Sequence, residues 1–495
     1  MIVPNWIGGT WKPSSATEKV HVLNPATEEI LAHTPLGTQA DVEEAVAAAQ
    51  AAFVTWRRTP AVERVQYLFR FKTLLEANQE ALSRIITQEH GKTLVESRGS
   101  VRRAIQMVET ACGIPSLLQG ESSEDIASGI DSISIRRPMG VFAGIAPFNF
   151  PAMVPFWFWP FAIACGNTYV LKASERVPLT SVKVFELLAQ TGLPPGVMNL
   201  IQGGKAVVDG LCQHPQVKGI SFVGSTPVAK HVYTLGCAHG KRVQALGGAK
   251  NVMVVLPDSL QSETWKKRTL HTAVESVIGC AGERCLAGSV ILSVGDKAYE
   301  AFQAGAVAAA EKIRVGDGLE TNTDMGPVIS QAAKESICGL ISRALGEGAT
   351  LLFDGREGVD DMPGYFLRPT VLANIQPHME IAQKEVFGPV ILLGKVDSLD
   401  AAIAWINAIP YANTSTLFTT SGAAARKFAY EVDPSMIGIN IGVPAPMAFF
   451  SFGGSKESFF GDLKVHGKQS IQFFTDTYTT LYRWYDSDAS IWGSC

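Results

Sequence analysis

From about residue 132 onward, short apolar segments alternate with segments of helical character, and this alternation limits the possible folds more than any other feature. Strands that alternate with helices at this spacing predict a parallel sheet covered by helices on both faces. The predicted strands are residues 140–146, 168–171, 198–201, 219–223, 252–256 and 289–293. The sequence therefore predicts an α/β protein.

The length of the chain and the positions of these strands predict how it divides. At roughly 100–200 residues per domain, a chain of 495 residues predicts two or three domains. The strands before Ala245 are typical of one nucleotide-binding sheet, and a second α/β unit begins after that residue. We expect two Rossmann-like parallel-sheet domains with a boundary near Ala245.

The region before the alternation predicts short strands followed by helices. The first 35 residues are typical of strands and turns, and helical periodicity then continues to about Ala111, with a break near Gly91. Thr38 is a candidate N-cap, with Asp41 three residues later. Thr59 precedes a proline, which predicts a cap followed by proline at the first helical position.

Composition and charge exclude several classes of protein. The net charge is −4 and the basic residues are scattered, so we expect no nucleic-acid partner. The eight cysteines form no CxxC pair and no dense framework, which predicts free thiols in a reducing compartment. No Cys and His residues have metal-ligand spacing, so we expect no metal.

One charge-free stretch, residues 138–171, is long enough to cross a membrane. After its first residue, Pro138, it contains four more prolines, together with Asn149 and Asn167, and prolines break a membrane helix. We therefore expect a buried strand, loop, helix and strand here, and no membrane contact. No secretory signal or presequence pattern opens the chain.

Three short segments carry candidate chemistry. The dinucleotide fingerprint GxGxxG is absent, but Gly224 and Ser225 follow a predicted strand and open a helix, where free N–H groups bind phosphate. Cys285 follows two glycines and has Arg284 as its neighbour, and a nearby cation lowers a thiol pKa. The Asn149 amide lies between two prolines, where it can donate to a developing oxyanion. Taken singly, each segment also fits a structural role.

Taken together, five motifs occur in the order found in the aldehyde dehydrogenase superfamily, and the chain resembles that superfamily over residues 6–484. The motifs are Phe148-Asn149-Phe150-Pro151, Leu171-Lys172-Ala173-Ser174-Glu175, Phe222-Val223-Gly224-Ser225-Thr226, Gly282-Glu283-Arg284-Cys285 and Glu385-Val386-Phe387-Gly388-Pro389.

The resemblance implies a nucleophile, an oxyanion hole and an NAD site. Cys285 is expected to be the nucleophile, and Asn149 with the Cys285 N–H to form the oxyanion hole. A carboxylate at Glu175 would repel a 2′-phosphate, so we expect NAD rather than NADP. The cofactor-binding residues implied are Phe148, Lys172 and Glu175 (the last two at the adenine ribose), Gly224 and Ser225 (pyrophosphate), Glu385 (nicotinamide ribose) and Phe387.

One residue that differs from the pattern of the hydrolytic aldehyde dehydrogenases indicates a particular subfamily. Hydrolytic members carry a glutamate that activates water, and alignment on Lys250 puts Leu246 at that position. Leucine cannot act as a base, whereas coenzyme A attacks a thioester with less need of one. The chain is thus similar to the CoA-acylating methylmalonate-semialdehyde (malonate-semialdehyde) dehydrogenases, in which Arg103 and Arg284 would bind the substrate carboxylate.

Other features differ from that subfamily or leave alternatives open. The segment between Lys250 and Cys285 is longer than expected, Glu283 places a negative charge beside Arg284, and the tail from Tyr482 differs. A hydrolytic NAD(P)-dependent semialdehyde dehydrogenase, for example one acting on succinic semialdehyde, and a non-catalytic paralogue remain alternatives.

The resemblance also implies an arrangement of domains and an assembly. We expect an NAD-binding domain at 1–245, a catalytic domain at 246–440, and a return segment with an oligomerisation strand at 441–495. A hairpin at 124–137 and a strand at 470–475 would form a small β oligomerisation arm. We expect a homodimer or homotetramer. Because the chain starts almost at the first family strand, we expect a cytoplasmic location.

Overall fold

The computed structural model of the chain describes residues 1–485. Its strands, numbered in chain order, are β1 (Asn5–Ile7), β2 (Thr10–Lys12), β3 (Lys19–Leu23), β4 (Ile30–Pro35), β5 (Glu121–Ala127), β6 (Ile130–Pro138), β7 (Val141–Ile145), β8 (Thr168–Lys172), β9 (Met198–Ile201), β10 (Val217–Val223), β11 (Arg242–Leu246), β12 (Val252–Val255), β13 (Val290–Val294), β14 (Thr350–Phe353), β15 (Thr370–Ala373), β16 (Val390–Val396), β17 (Tyr411–Ala412), β18 (Thr414–Phe418), β19 (Met436–Ile439), β20 (Ser455–Lys456), β21 (Phe459–Phe460) and β22 (Thr475–Arg483).

The α-helices lie between these strands. They are α1 (Gln39–Trp56), α2 (Ala61–Ala77), α3 (Gln79–His90), α4 (Leu94–Cys112), α5 (Ile114–Leu117), α6 (Trp159–Ala164), α7 (Leu179–Ala189), α8 (Lys205–Gln213), α9 (Thr226–Ala238), α10 (Glu263–Ile278), α11 (Asp296–Ala310), α12 (Gln331–Gly346), α13 (Glu380–Gln383), α14 (Leu399–Ala408), α15 (Gly422–Glu431) and α16 (Gly467–Phe474). Short 3₁₀ turns cover Pro155–Trp157, Pro257–Leu260 and Gly279–Gly282.

The first large sheet has the order β2-β1-β9-β8-β7-β10-β11-β21 in the described part of the chain. Its five central strands, β9, β8, β7, β10 and β11, run parallel. Residues of β7, β8 and β9 are buried throughout, as in a parallel sheet with helices on both faces. Two apolar clusters flank the sheet, and α1, α8 and α9 pack on one of them.

The second large sheet has the order β14-β15-β16-β13-β12-β18-β19 within residues 1–485, and it is parallel except at the edge strand β14. All six strands predicted from the sequence form, within a few residues of the predicted ends. The predicted α/β class with two parallel sheets is therefore confirmed.

The proposed domain boundary near Ala245 falls at the end of β11, the last parallel strand of the first sheet. β12, which starts at Val252, already belongs to the second sheet. After residue 441 the chain returns to the first sheet, where β21 pairs antiparallel with β11. The division into 1–245, 246–440 and 441–495 stays a prediction.

A third sheet, with the order β22-β6-β5 among the described residues, projects as a small exposed arm. The hairpin predicted at 124–137 is present as β5 and β6. The strand predicted at 470–475 is wrong, because residues up to Phe474 form α16 and the strand begins at Thr475. Burial at Gly467, Ser470, Ile471 and Phe474 follows the i, i+3, i+4, i+7 spacing of a helix.

The N-terminal helices test the capping predictions. Thr38 caps α1 and forms a reciprocal capping box with Asp41. Gly91 ends α3 in the left-handed conformation, with φ of 96°. The predicted cap at Thr59 is wrong, because Pro60 itself is the N-cap of α2 and no side chain caps that helix.

The charge-free stretch at 138–171 forms β7, α6 and β8, as predicted. Across residues 1–485, none of the helices has the length and apolar character needed to cross a membrane.

Candidate active site

A cavity of about 720 Å³ opens at the carboxyl ends of β7, β8, β10 and β11, where ligands bind in parallel α/β sheets. Cys285, from the second unit, and Glu385 face the same cavity. Nine of the predicted residues line it: Phe148, Asn149, Lys172, Glu175, Gly224, Ser225, Cys285, Glu385 and Phe387. Arg103 and Arg284 do not line this cavity.

The backbone before Cys285 takes a sharp turn. Cys280 and Ala281 adopt positive φ angles of 51° and 52°, which side-chain-bearing residues rarely do. At Gly282 a Cβ atom would lie 2.2 Å from the Gly388 carbonyl oxygen, so only glycine fits. The turn thus brings the Cys285 segment directly against the segment that follows Glu385.

Two asparagines fix the Cys285 main chain. The Cys285 carbonyl oxygen accepts hydrogen bonds from Nδ2 of Asn251 at 2.9 Å and from Nδ2 of Asn413 at 2.8 Å. Asn251 also donates to the Ala287 carbonyl at 3.0 Å. These bonds hold the nucleophile segment from both sides, which is the preorganisation that a reactive side chain needs.

The Cys285 thiol has a raised pKa in this structure. Burial and, after it, the Glu385 carboxylate raise the pKa of Cys285 to about 12. The backbone N–H groups of Cys285 and Leu286, and the Arg284 charge, act in the opposite direction but do not outweigh burial. Arg284 thus lowers the pKa of this thiol as expected, but the net pKa is raised because burial dominates.

The Asn149 side chain is buried, and hydrogen bonds hold both its side-chain amide and its backbone carbonyl. Its Nδ2 donates to the Glu283 carbonyl at 3.0 Å, and its backbone carbonyl accepts from Lys92 Nζ at 2.5 Å. Lys92 is itself buried, with Nζ 3.7 Å from the centre of the Phe150 ring. The amide is thus fixed beside the nucleophile segment, as an oxyanion donor requires.

Arg284 points away from the Cys285 thiol. Its Nη2 lies 3.2 Å from Glu96 Oε1, and its Nε lies 3.4 Å from Cys280 Sγ. The same Glu96 oxygen accepts from the Cys280 N–H at 2.6 Å. Arg284 is therefore already paired with a carboxylate, and a substrate carboxylate would have to share it.

Arg103 is bound to a loop that follows the second sheet. Its Nη2 donates to the carbonyls of Ala445 and Pro446 at 3.1 and 3.0 Å. Its Nη1 donates to Gln106 Oε1 at 3.1 Å and contacts the Met447 sulfur at 3.0 Å, burial lowers its pKa, and within residues 1–485 no carboxylate forms a salt bridge with it.

The lysine and the glutamate predicted at the adenine ribose form an ion pair in the structure. Lys172 Nζ and Glu175 Oε2 lie 2.7 Å apart. Burial alone would raise the pKa of Glu175, but Lys172, together with a backbone N–H and Arg176, offsets burial and lowers that pKa, so the carboxyl is ionised at neutral pH. The cavity lining therefore carries a negative charge at Glu175.

The predicted pyrophosphate site is the start of α9. Ser225 is the N-cap of this helix, and no side chain caps it, so its first N–H groups face the cavity without a protein partner. A Cβ atom on Gly224 would lie 2.6 Å from the Phe222 ring, so glycine keeps this approach open.

Glu385 and Phe387 close the other end of the cavity. Glu385 Oε1 accepts from the Ala249 N–H at 3.0 Å, and a Cβ atom on Gly248 would lie 2.6 Å from Glu385 Oε2. Burial raises the pKa of Glu385 to about 7. Phe387 packs edge-on against Phe148, with ring centres 5.8 Å apart.

Several residues at or near the site were not predicted as functional. Lys250 Nζ is buried and has no hydrogen-bond partner in the described chain, and burial lowers its pKa to about 7. Arg176, Lys205 and His231 line the cavity, and Arg176 and Lys205 add positive charge. Lys205 could have been found from the sequence, because it follows Gly203 and Gly204, a pair typical of a phosphate-binding turn.

These residues fit an NAD molecule. The uncapped helix start and the Lys172–Glu175 pair line the cavity and supply donors and acceptors that a dinucleotide needs. The cavity volume matches that of small-molecule and cofactor sites. Among residues 1–485, no group of three or more His, Cys, Asp or Glu side chains is placed to hold a metal ion.

The fold and this site define an oxidoreductase class, and the chain belongs to the aldehyde dehydrogenase family, which it matches over residues 11–480. Among proteins of assigned function, it is 46% identical to malonate-semialdehyde dehydrogenase 2 of Shouchella clausii over 98% of each chain. It is likewise 46% identical to malonate-semialdehyde dehydrogenase of Halalkalibacterium halodurans, over 97% of this chain and 98% of the other.

Comparison with solved structures agrees with these sequence matches. Methylmalonate-semialdehyde dehydrogenase from Oceanimonas doudoroffii superposes with a TM-score of 0.96 at 42% identity, over 98% of this chain and 99% of the other. A provisionally assigned methylmalonate-semialdehyde dehydrogenase from Sinorhizobium meliloti 1021, solved with NAD, superposes with a TM-score of 0.96 at 36% identity, over 99% of each chain. The predicted superfamily, and the predicted similarity to malonate- and methylmalonate-semialdehyde dehydrogenases, are confirmed.

Proposed function

We propose that this protein oxidises malonate semialdehyde or methylmalonate semialdehyde with NAD and transfers the acyl group to coenzyme A. The products are acetyl-CoA or propionyl-CoA, with release of CO2. The proposal is supported by the malonate- and methylmalonate-semialdehyde dehydrogenases to which the chain is similar.

The observation that carries the acylating part is Leu246. It ends β11, is 4% exposed, and belongs to the same apolar cluster against which Cys285 packs. The position aligned with a water-activating glutamate therefore holds a buried hydrocarbon side chain, which cannot accept a proton. A thiol co-substrate needs no such base, because part of it is already thiolate at neutral pH.

The reaction uses the residues that face the cavity. The Cys285 thiolate attacks the aldehyde carbon, and the carbonyl oxygen becomes an oxyanion that receives hydrogen bonds from Asn149 Nδ2 and the Cys285 N–H. NAD, when bound, accepts the hydride that leaves this carbon. The resulting thioester on Cys285 loses its carboxylate as CO2, because the thioester carbonyl stabilises the carbanion left when that carbon–carbon bond breaks, and the carbanion takes up a proton. The sulfur of coenzyme A then attacks the thioester carbon, and the Cys285 sulfur leaves as the thiolate.

The remaining predicted residues would bind NAD or the substrate carboxylate. Lys172, Glu175, Gly224, Ser225, Glu385, Phe148 and Phe387 would hold NAD, and Arg103 and Arg284 would hold the substrate carboxylate. The guanidinium groups suit a planar carboxylate because they donate in pairs. For Arg284, the present pairing with Glu96 means that the substrate carboxylate would compete with or share that interaction.

We further propose a homodimer or homotetramer in the cytoplasm, assembled through the exposed arm. The arm presents large apolar side chains to solvent, among them Leu481 at 62% and Ile126 at 51% exposure. Exposed apolar patches of this kind mark protein–protein contacts.

The experiment is NADH formation from freshly prepared malonate semialdehyde, with and without coenzyme A, with succinic semialdehyde in parallel. We expect sustained turnover only with coenzyme A, and one NADH per active site without it. Steady turnover without coenzyme A, with the free acid accumulating, would instead establish the hydrolytic alternative. Absence of even a single-turnover burst would support the non-catalytic alternative.

A further inference from the structure

A second cavity, of about 550 Å³, lies where the start of α2 meets the end of β6. It shares no lining residue with the active-site cavity. We call it the arginine cavity, because its lining includes Arg57, Arg58, Arg64, Arg136 and Arg137.

The positive charge of this cavity is not balanced by the protein. Across residues 1–485, none of the five arginines forms a salt bridge, and Arg57 and Arg137 instead lie over the rings of Phe53 and Tyr478. The chain as a whole has a net charge of −4, so the cluster does not follow from a basic composition. Five guanidinium groups around one cavity repel each other unless an anion lies between them.

Arg64 gives the second, independent observation. It is only 6% exposed, and its Nε and Nη1 donate to the carbonyls of Ala164 and Thr59 at 2.9 and 2.6 Å. Its Nη2 donates no hydrogen bond within the described residues. The cavity wall thus offers a fixed guanidinium nitrogen that can donate to a bound anion.

The backbone near Arg64 leaves room for this arrangement. Gly166 has φ of +99°, and a Cβ atom there would lie 2.9 Å from Arg64 Nη1. Burial lowers the pKa of Arg64, while the nearby Cys165 thiol acts in the opposite direction. Any larger residue at position 166 would push the guanidinium out of its place in the wall.

The start of α2 adds a further positive element. Pro60 is its N-cap and no side chain caps the helix, which is 17 residues long. The helix therefore directs free N–H groups and the positive end of its dipole toward the cavity. Glu63, the acidic residue of the first turn, does not line the cavity.

We propose that the arginine cavity binds the phosphate or diphosphate group of a small molecule. Planar guanidinium groups donate in parallel pairs to phosphate oxygens, and a helix start favours the same charge. Several arginines around one cavity favour a group with more than one negative charge, so a diphosphate binds more tightly than a monophosphate. The site acts independently of aldehyde oxidation.

Pyrophosphate is the probe, and its binding is measured by isothermal titration calorimetry at low ionic strength. NAD is present at a saturating concentration so that the start of α9 in the active site is already occupied. The test variants are Arg57→Gln/Arg58→Gln together, and Arg137→Gln alone, which lies on a different element. Arg70→Gln is the matched control, because Arg70 lies on α2 over the Tyr67 ring and outside the cavity.

We expect one pyrophosphate per chain, about tenfold or more weaker binding in both test variants, and unchanged binding in the control. Inorganic phosphate binds more weakly than pyrophosphate, and aldehyde oxidation stays unchanged in all variants. The proposal is wrong if pyrophosphate does not saturate, or if both test variants bind it as the wild type does. It is also wrong if the wild-type protein binds no pyrophosphate and the Arg57→Gln/Arg58→Gln variant has a different oligomeric state, as measured by light scattering. That result would make the cavity a subunit contact.

Discussion

The Nε2 atom of His90 and the Oε2 atom of Glu283 lie 3.6 Å apart, and both side chains are completely buried. Neither atom has a hydrogen-bond partner in the described chain. Burial raises the pKa of Glu283 to about 8 and lowers that of His90, so both are neutral near pH 7. Glu283 therefore brings no negative charge to Arg284, contrary to the concern raised by its position in the sequence.

Replacing Glu283 with glutamine should stabilise the protein at alkaline pH. The folded-state pKa of Glu283 is raised, so stability is fully present below the unfolded value of 4.5 and is lost as pH rises through about 8. Glutamine cannot ionise, so Glu283→Gln should gain up to a few kcal/mol over wild type between about pH 5 and pH 8.5.

The melting temperatures of wild type and Glu283→Gln, measured by thermal unfolding at about pH 5 and about pH 8.5, test this gain in stability. Glu186→Gln is the control, because Glu186 is exposed and pairs only with Lys183. An equal difference in melting temperature at both pH values would show that Glu283 does not change protonation on folding.

A carboxylate at position 246 should restore hydrolysis. Leu246→Glu places an acid at the end of β11, where hydrolytic relatives carry their base. We expect the steady NADH rate without coenzyme A to rise about tenfold or more, since a positioned base contributes at least that much. Leu246→Gln is the control of equal size, and an equal rate in both variants would contradict a role for the carboxylate.

Removing the Glu385 charge should make Cys285 more acidic. Glu385 adds to the raised pKa of the thiol, and its own pKa of about 7 means that its charge is present mainly above neutral pH. Glu385→Gln should therefore speed alkylation of Cys285 by iodoacetamide, more at about pH 8 than at about pH 6. Peptide mass spectrometry follows Cys285 itself, and Glu175→Gln, another acid of the cavity, should leave the rate unchanged.

The sequence predicted the strands from a local pattern and the lining residues from a resemblance. Apolar runs between helices predict parallel strands, and the family resemblance carried by five ordered motifs implies the nine lining residues. It could not predict that Asn413 holds the Cys285 carbonyl, because this contact joins positions 128 residues apart in sequence. That pairing depends on how β18 lies beside β12, which no local pattern encodes.

Two errors have equally specific causes. The strand at 470–475 was implied by the resemblance to the superfamily, whereas the burial of residues 467, 470, 471 and 474 follows the period of a helix. Arg284 adjoins Cys285 in sequence, yet its side chain is directed to Glu96. Adjacent side chains point in different directions, so the position of Arg284 next to Cys285 in the sequence did not predict which group the Arg284 guanidinium contacts.

The Glu175 charge should set the preference between cofactors. Glu175→Gln removes a carboxylate that would repel a 2′-phosphate and leaves Lys172, Arg176 and Lys205 around the cavity. We expect the ratio of kcat/KM for NADP to that for NAD to rise about tenfold. Glu186→Gln, on the exposed face of α7, should not change the ratio, and an unchanged ratio in Glu175→Gln would remove Glu175 from cofactor selection.

Arg103 should act on the substrate carboxylate and not on the aldehyde. Arg103→Gln should lower kcat/KM for malonate semialdehyde by about tenfold to a hundredfold, because a charge-assisted hydrogen bond contributes about 1.5–3 kcal/mol. The same variant should oxidise propanal, which has the same number of carbons and no carboxylate, within about twofold of wild type. Arg102→Gln is the matched control, since Arg102 is exposed and lies 3.7 Å from Glu76. Equal losses on both aldehydes would mean that Arg103 supports only the loop at Ala445 and Pro446, to which it is hydrogen-bonded.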